Sequence, residues 1–446
     1  MKSRYIRRAS LSYMRLLFVF LMVLGLAQVS VSLKAGSVPP DTSAALAREP
    51  QTRAEEIELA RERKAAALEP EDPNKWETVL IRVREEKILE RLTDGMAGFR
   101  LKFGGLASGA GFALGPEYYR EDFAKGKVYF RGAAQASFTG AQKLDLEVGA
   151  PSLGGGKWEW RAEAVRHNYP RLNYYGPGPN SEKTGRSNYR LEDNAFDTTL
   201  TFKPRRYLRF GASTGYLMTN TGPGTNDRLI SAEQQYPPNV SPGIDQQGSA
   251  FRYGFFGQVD YRDNPGGPRA GGSYTVQYNT YKDQSLDRYD FSRLTVDLQQ
   301  YFPLFNQRRV IALRARTNHS FVPDGQVLPF YLQTVLGGST DLRGYRPFRF
   351  YGDNSFVMNA EWRWEVFSGL DMALFADAGK VFQHHNEFDL RNLESAVGIG
   401  MRFNARNNTF IRLDAGFSHE GFQVWFAFGD AFAPAIQRGS SNFVYQ

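Results

Sequence analysis

The sequence contains no cysteine among its 446 residues, which excludes a disulfide framework and any metal site built from thiolates. Its only long apolar run lies within the first 27 residues, and its mean hydropathy is negative. Both features argue against a membrane protein built from helices. The chain is instead rich in glycine (44 residues) and in aromatic side chains (14%). That composition is typical of a barrel whose strands are apolar on one face only.

Positive charge is concentrated at the start of the chain. The net charge is +8, but the first 27 residues contribute five cations and no acid. Without them the chain has 50 basic and 47 acidic residues, a net charge of +3. Such a balanced chain has no electrostatic support for nucleic-acid binding, so we expect no nucleic-acid partner.

The first 95 residues are predicted to lie outside the main domain. A basic start, an apolar run over 16–27 and small residues after it predict a signal peptide over 1–32. Residues 33–70, rich in Ala, Arg and Glu, are predicted to be a partly helical or disordered periplasmic spacer. Residues 71–95 have apolar side chains near a 3.6-residue period and predict an amphipathic helix. We expect it to dock at the barrel rim, in the lumen, on a partner, or on the membrane surface.

The period changes to two residues over 96–432. Phe356, Met358 and Trp362, for example, alternate with Asn359 and Glu361. A dry core would not hold unpaired charges, whereas a water-filled lumen with lipid outside accommodates them. The sequence therefore predicts an all-β fold, a 16-stranded antiparallel transmembrane β-barrel with an N-terminal helical periplasmic segment and a C-terminal tail over 433–446. The predicted lipid-facing side chains are Phe356, Met358, Ala360, Trp362, Trp364, Leu374, Ile399, Met401, Ile411, Leu413, Phe422, Val424, Phe426 and Phe428.

The connections between predicted strands alternate in length. Short turns such as 203–206 and 404–408 form one series, and long loops over 169–187, 218–249 and 319–354 form the other. In outer-membrane barrels the short turns face the periplasm and the long loops face outward. This assignment predicts that both termini are periplasmic.

Three segments carry a resemblance to a known family. They are GGSTDLRGY at 337–345, LFADAGKV at 374–381 and DYRDNPGGPRAG at 260–271. In this order and spacing they resemble the BamA/TamA superfamily of outer-membrane assembly factors, also called the bacterial surface antigen family. No repeated βαββ-like units precede the barrel, so the resemblance implies a member without the family's periplasmic POTRA domains.

The resemblance implies site residues in the first of these segments. Arg343, Gly344 and Tyr345 match the tip of the family's sixth loop, which folds back into the barrel. Inside a lumen the Arg343 cation needs an acid, and alternation places Asp377 and Glu361 on the lumen side. We expect a latch in which Arg343 pairs with Asp377 first and Glu361 second; the alternative is an ordinary solvated loop arginine.

Glycine and proline positions predict two further features. Asp263, Asn264, Pro265, Pro268 and Gly271 predict a rigid periplasmic turn. Glycine weakens strand pairing, and the first and last predicted strands are interrupted by it. We therefore expect a lateral seam between those strands, marked by Gly98, Gly104, Gly105 and Gly429.

The leading functional hypothesis is insertion or translocation of polypeptide, or of lipid, through this seam. The alternative is a passive pore or a structural surface antigen, because fold alone does not decide function. A G-x-S-x-G match at 211–215 lies within a predicted strand instead of the strand-to-helix turn that a hydrolase needs. We therefore expect no enzyme, no catalytic or metal-binding residues and no cofactor. The expected surroundings are outer-membrane lipid and lipopolysaccharide, with a periplasmic partner protein or client polypeptide, around a monomer.

Overall fold

Period-two alternation over more than 300 residues produces one large antiparallel sheet. In the computed structural model, which describes residues 98–104, 106–405 and 408–432, sixteen strands follow each other around this sheet in chain order. The all-β, 16-stranded prediction is confirmed. The predicted signal peptide 1–32, spacer 33–70, helix 71–95 and tail 433–446 lie outside the described residues. No helix in the described ranges has the length and hydropathy needed to cross a membrane.

The strands are long, and each pairs with its neighbours in the chain. The sixteen strands of the barrel sheet are β1 Phe99–Phe103, β2 Ala113–Asp122, β3 Val128–Ser137, β4 Gln142–Leu153, β5 Trp158–Tyr174, β6 Ser187–Arg205, β7 Leu208–Pro223, β8 Gly248–Asp260, β9 Gly271–Asp283, β10 Phe291–Leu304, β11 Arg309–Phe321, β14 Asn354–Phe367, β15 Leu370–Phe382, β16 Glu394–Ala405, β17 Asn408–Ser418 and β18 Gly421–Phe428. A separate hairpin, β12 Thr334–Leu336 and β13 Phe350–Gly352, lies in the connection between β11 and β14.

Helical structure within the described residues is confined to single turns. The short helical turns are Phe123–Gly126, Lys183–Gly185, Ala232–Gln235, Phe330–Leu332 and His385–Glu387. They lie in connections between strands, so the barrel wall itself is entirely β-structure.

The inward and outward faces follow the predicted alternation. On β14 the side chains of Val357, Asn359, Glu361 and Arg363 are buried, and those between them are more exposed. Exposed phenylalanine, leucine and valine side chains cover the outer face of most strands. This sheet presents charge to its interior and apolar surface to its surroundings, as a barrel in lipid requires.

The two ends of the barrel differ in the length of their connections. At the short-turn end, β6 joins β7 and β14 joins β15 through two residues each. At the long-loop end, the β7–β8 and β11–β14 connections share one hydrophobic core with the ends of β5 and β6. Tyr174 lies at its centre, with ring centroids 4.7 Å from Tyr351 and 5.2 Å from Phe330. Aromatic packing therefore fixes these loops against each other at this end.

Candidate functional site

The segment 337–345, here called loop six, is the tip of the β12–β13 hairpin and lies inside the barrel. Gly337 and Gly338 have φ values of +110° and +132°, which L-residues rarely adopt. Asp341 Oδ1 accepts the backbone N–H groups of Gly337 at 2.9 Å and Leu342 at 2.6 Å. These bonds fold the loop back so that the next residue, Arg343, points into the lumen wall.

Arg343 is almost completely buried and is bound by two acids. Its Nε and Nη2 donate to the two Asp377 carboxylate oxygens at 2.9 and 2.7 Å, and its Nη1 donates to Glu361. The backbone N–H of Arg343 also donates to Asp377 at 3.1 Å. The guanidinium carbon lies 3.6 Å from the centroid of the Phe375 ring. This two-pronged pairing fixes the orientation of the arginine as well as its charge.

The acids are themselves part of a larger lumenal network. Glu361 also accepts from Arg402 at 2.8 Å and from Arg363 at 2.6 Å, and Asp414 accepts from Arg402 at 2.5 Å. Each buried charge therefore has an opposite charge beside it, which compensates for removing it from water. Loop six is tied through this network to β14, β15, β16 and β17.

Loop six itself contains one acid, Asp341. Burial raises the pKa of the Asp341 carboxyl above its ordinary value, and Arg316, 3.7 Å away, partly offsets this rise. The two backbone N–H groups that Asp341 accepts lower the pKa as well. The main role of Asp341 is thus to shape the turn that presents Arg343.

Loop six also contacts the last two strands of the sheet through its backbone. Trp425 Nε1 donates to the Arg343 carbonyl at 2.7 Å, and Ser418 Oγ donates to the Gly344 carbonyl at 2.8 Å. A Cβ atom on Gly344 would lie 2.9 Å from the Phe417 carbonyl. Only glycine fits at that position, because the two backbones pass so close together.

Tyr345 is the third residue of the predicted loop-six tip, and it lies at the long-loop end. Its side chain is 1% exposed, and its hydroxyl donates to Glu394 Oε2 at 2.6 Å and lies 3.1 Å from His419 Nδ1. Glu394 begins β16, and His419 lies in the β17–β18 turn. The tyrosine therefore fixes loop six to β16 and to the turn that precedes β18.

The sheet is not joined where its first and last strands meet. Within the described residues, β1 pairs only with β2 and β18 only with β17. Side chains fill the gap instead: the ring centroids of Phe103 and Phe428 are 5.7 Å apart. The barrel is nearly closed, and we call this unpaired junction of β1 and β18 the seam.

The predicted seam glycines flank the two strands instead of interrupting them. Gly98 and Gly104 lie immediately before and after β1, with φ values of +86° and +68°. A Cβ on Gly104 would lie 2.8 Å from the Phe428 ring. Gly429 follows β18 with φ +77°. Gly105 lies outside the described residues.

Loop six contacts seam strand β18 and the connection that follows seam strand β1. Beyond β1, the chain enters the lumen, where Ser108 Oγ accepts the Ser339 N–H at 2.9 Å and lies 3.2 Å from Ser339 Oγ. On the other side, Trp425 of β18 binds the Arg343 carbonyl, as described above. Loop six thus contacts one seam strand and the connection that follows the other, on the inside of a junction where the described residues form no backbone ladder.

Comparison with known proteins decides the family. The Omp85 superfamily domain matches residues 125–419, which is more than half of the chain. The chain belongs to the Omp85 superfamily. The predicted resemblance is thereby confirmed, and membership of this superfamily supports an outer-membrane location.

A solved structure shares the fold of this Omp85 barrel at low sequence identity. BamA from Haemophilus ducreyi lacking POTRA domains 1–3 matches with a TM-score of 0.56 and 16% identity, over 75% of this chain and 70% of that one. CdiB from Escherichia coli matches with a TM-score of 0.49 and 13% identity, over 74% and 61%. CdiB from Acinetobacter baumannii matches with a TM-score of 0.46 and 12% identity, over 74% and 58%. The search of curated proteins found no match.

The predicted periplasmic turn of this Omp85 barrel is a hydrogen-bonded segment at the short-turn end. We call this connection between β8 and β9, residues 261–270, the strap. Asp263 Oδ1 accepts the N–H groups of Asn264 at 2.8 Å and Arg269 at 3.0 Å. Pro265 and Pro268 lie within the strap, and Gly271, with φ +90°, begins β9. Gly266 also accepts the Thr409 N–H at 2.9 Å. The segment thus reaches as far as β17, beyond a local reversal between β8 and β9.

Arg269 binds the strap to two neighbouring parts of the short-turn end. It donates to both Asp371 carboxylate oxygens at 2.8 Å and to the Gln307 carbonyl at 2.8 Å. Asp371 lies at the start of β15 and Gln307 in the β10–β11 turn. The strap therefore crosses part of the short-turn mouth of the barrel.

Four further members of the site were not predicted from the sequence: Arg402, Arg412, Asp414 and Trp425. All four lie on the inward face of β16, β17 and β18. The period-two alternation predicts that these side chains point inward. It does not predict which inward side chains contact loop six. No group of three or more histidine, aspartate or glutamate side chains able to hold a metal ion occurs in the described part of the chain.

Proposed function

We propose that this Omp85 barrel inserts or translocates polypeptide through the seam between β1 and β18, with loop six as the latch. The observation that supports it most is the seam itself. Its edges lack a backbone ladder within the described residues, and loop six contacts β18 through Trp425 and the connection that follows β1 through Ser108. Both termini would face the periplasm, because β1 begins and β18 ends at or toward the short-turn end.

The physical argument concerns the free edge of β18. In lipid every backbone polar group must be satisfied, and each unsatisfied group costs several kcal/mol. An exposed edge strand is also a template for pairing with another strand. The eight residues of β18 therefore favour the addition of an extended client segment once the seam opens.

The latch would determine how readily the seam opens. Arg343 is bound to Asp377 and Glu361 on one side, and its carbonyl to Trp425 of β18 on the other. Movement of loop six would thus alter the support of β18 from inside. A lumen that contains its own bound loop also favours this proposal over a passive pore.

The test is a folding assay in lipid vesicles. Vesicles that contain the full chain receive two urea-unfolded clients: a small outer-membrane barrel and the chain itself. Folding is followed by the heat-dependent shift in electrophoretic mobility. We expect faster folding than in protein-free vesicles, a loss of this gain with Arg343→Ala, and no loss with Arg391→Ala on an exposed loop.

A folded wild-type barrel that accelerates neither client contradicts the proposal. If such a barrel also carries a steady ionic current, the passive-pore alternative is favoured. A folded barrel that neither accelerates client folding nor carries a current favours the other alternative, a structural surface antigen.

A further inference from the structure

The chain turns into the barrel interior immediately after the seam strand β18. Gly429, with φ +77°, provides the turn, and its N–H still donates to the Phe410 carbonyl at 3.2 Å. The next three residues, Asp430, Ala431 and Phe432, are 5%, 3% and 1% exposed. A segment that merely ended the barrel would be solvated; this one is buried.

Asp430 joins this segment to the ion pairs of loop six. Its Oδ2 lies 2.8 Å from Arg363 Nη1, and Arg363 Nε donates to Glu361 at 2.6 Å. Glu361 in turn accepts from Arg343. A continuous chain of alternating charges, Arg343, Glu361, Arg363 and Asp430, therefore connects the loop-six tip to the end of the seam strand.

Phe432 occupies a pocket on strands that are distant from β18. It packs in one cluster with Tyr301, Val310 and Ala312, which lie on β10 and β11. The Arg363 and Arg314 guanidinium carbons lie 5.5 and 6.0 Å from the centroid of its ring. β11 and β10 are five and six positions from β18 around the sheet, so the segment spans part of the lumen.

We propose that Asp430–Phe432 is a hook that positions seam strand β18 and holds it against opening. The inference rests on the proposed function, since it assigns to these residues the control of the same seam. β18 has a hydrogen-bonded neighbour on one side only among the described residues, so the hook fixes an end that the sheet leaves free. Asp430 and Phe432 act through Arg363 and are positioning residues, without contact to a client.

The hook and the loop-six latch share one acid, Glu361. Release of Phe432 from its pocket withdraws Asp430 from Arg363, which leaves Arg363 with Glu361 alone. The competition among Arg343, Arg363 and Arg402 for Glu361 then changes. Movement at either end of this contiguous network biases the other end.

A disulfide reporter measures the seam directly, because the chain has no cysteine of its own. A Cβ atom on Gly104 would lie 3.1 Å from the Phe428 Cβ, close to the roughly 3.5–4.5 Å of disulfides. The reporter is the full chain with Gly104→Cys and Phe428→Cys, reconstituted in vesicles. Its readout is the rate of disulfide formation at a fixed oxidant concentration, and the two single-cysteine chains control for strain and intermolecular bonds.

The hook variants are introduced into this reporter. Phe432→Ala and Asp430→Asn are expected to lower the rate of disulfide formation by about fivefold or more. Phe432→Tyr, which keeps the ring, is expected to restore most of it. Truncation after Phe432 is expected to leave the rate unchanged, whereas truncation after Gly429 lowers it as Phe432→Ala does. Heat-dependent mobility shows in each case that the barrel is folded.

An unchanged rate in folded Asp430→Asn and Phe432→Ala overturns the hook. Asp430→Asn keeps the size of the side chain. If Phe432→Ala does not fold, the rate of disulfide formation in Asp430→Asn is sufficient to test the hook. The reporter needs no client, so its result is independent of the folding assay. A failure of the hook is thereby distinguishable from a failure of the insertase proposal.

Discussion

Arg343 is the residue on which the lumenal site depends most, because two acids and one aromatic ring surround a single buried cation. Arg343→Ala leaves Asp377 and Glu361 without that partner. Removal of one partner from a buried pair costs about 3–5 kcal/mol. We expect the free energy of unfolding of the reconstituted barrel, measured by urea titration, to fall by an amount of this order.

Two control variants make the measurement specific. Arg343→Lys keeps the charge but not the paired donors, and we expect a smaller loss than with alanine. Arg391→Ala, on an exposed loop, should change nothing. Equal stability of Arg343→Ala and the wild type would mean that the pairing does not support the fold.

Gly344 tests the close approach of loop six to β17. A Cβ there would lie 2.7 Å from the Ala396 Cβ and 2.9 Å from the Phe417 carbonyl. Gly344→Ala should therefore destabilise the barrel by about 1–3 kcal/mol, as overpacking does. The matched control is Gly257→Ala on β8, where the nearest atom would be 3.5 Å away. Similar urea midpoints for both variants would contradict the close approach.

For single residues, the sequence indicated Arg343 and its two acids but not the other charged side chains around them. Asp377 and Glu361 are two residues whose inward phase could be read from alternation, and the loop motif indicated Arg343. Arg402 and Asp414 have the same phase, yet their contact with Glu361 and its arginines depends on how strands far apart in the chain close around the loop. Alternation gives a side chain's direction but not its partner.

Among the elements, β18 and β1 each have an unpaired edge within the described residues. We expect backbone amides over 421–428 to exchange with deuterium faster than those over 408–418, since β17 is paired on both sides and β18 on one. Trp425→Phe removes the donor to the Arg343 carbonyl and should increase exchange in β18 further. Mass spectrometry of the barrel in nanodiscs measures both effects. Equal protection of the two strands would show that the seam is closed by pairing.

The long strands were predictable as elements, whereas the short ones were not. β6 has 19 residues and β5 has 17, so their two-residue period is unmistakable. β12 and β13 have three residues each, too few to show any period. The segment from Asp263 to Gly271 was predicted as a rigid turn, but the contacts of the strap with Asp371 and Thr409 depend on tertiary structure.

At the largest scale, the described barrel combines a nearly closed wall with segments that occupy part of its lumen. Loop six and the hook lie in the lumen, the strap crosses part of one mouth, and an aromatic core fixes the loops at the other. We therefore expect the wild-type barrel to carry little ionic current in planar bilayers. The Arg343→Ala substitution should increase the current, and so should truncation of the chain after Gly429. The Arg391→Ala control should leave the current unchanged. A large, steady current through the wild-type barrel would contradict this account of a closed resting state.

The central claim is that polypeptide passes through the seam, and a reversible lock on the seam tests it most directly. The Gly104→Cys, Phe428→Cys chain is oxidised in vesicles and supplied with the urea-unfolded clients of the folding assay. We predict that client folding falls to the rate in protein-free vesicles when the disulfide is closed and recovers when it is reduced. Accelerated folding that persists at full cross-linking would contradict the account, because clients would then enter without an open seam.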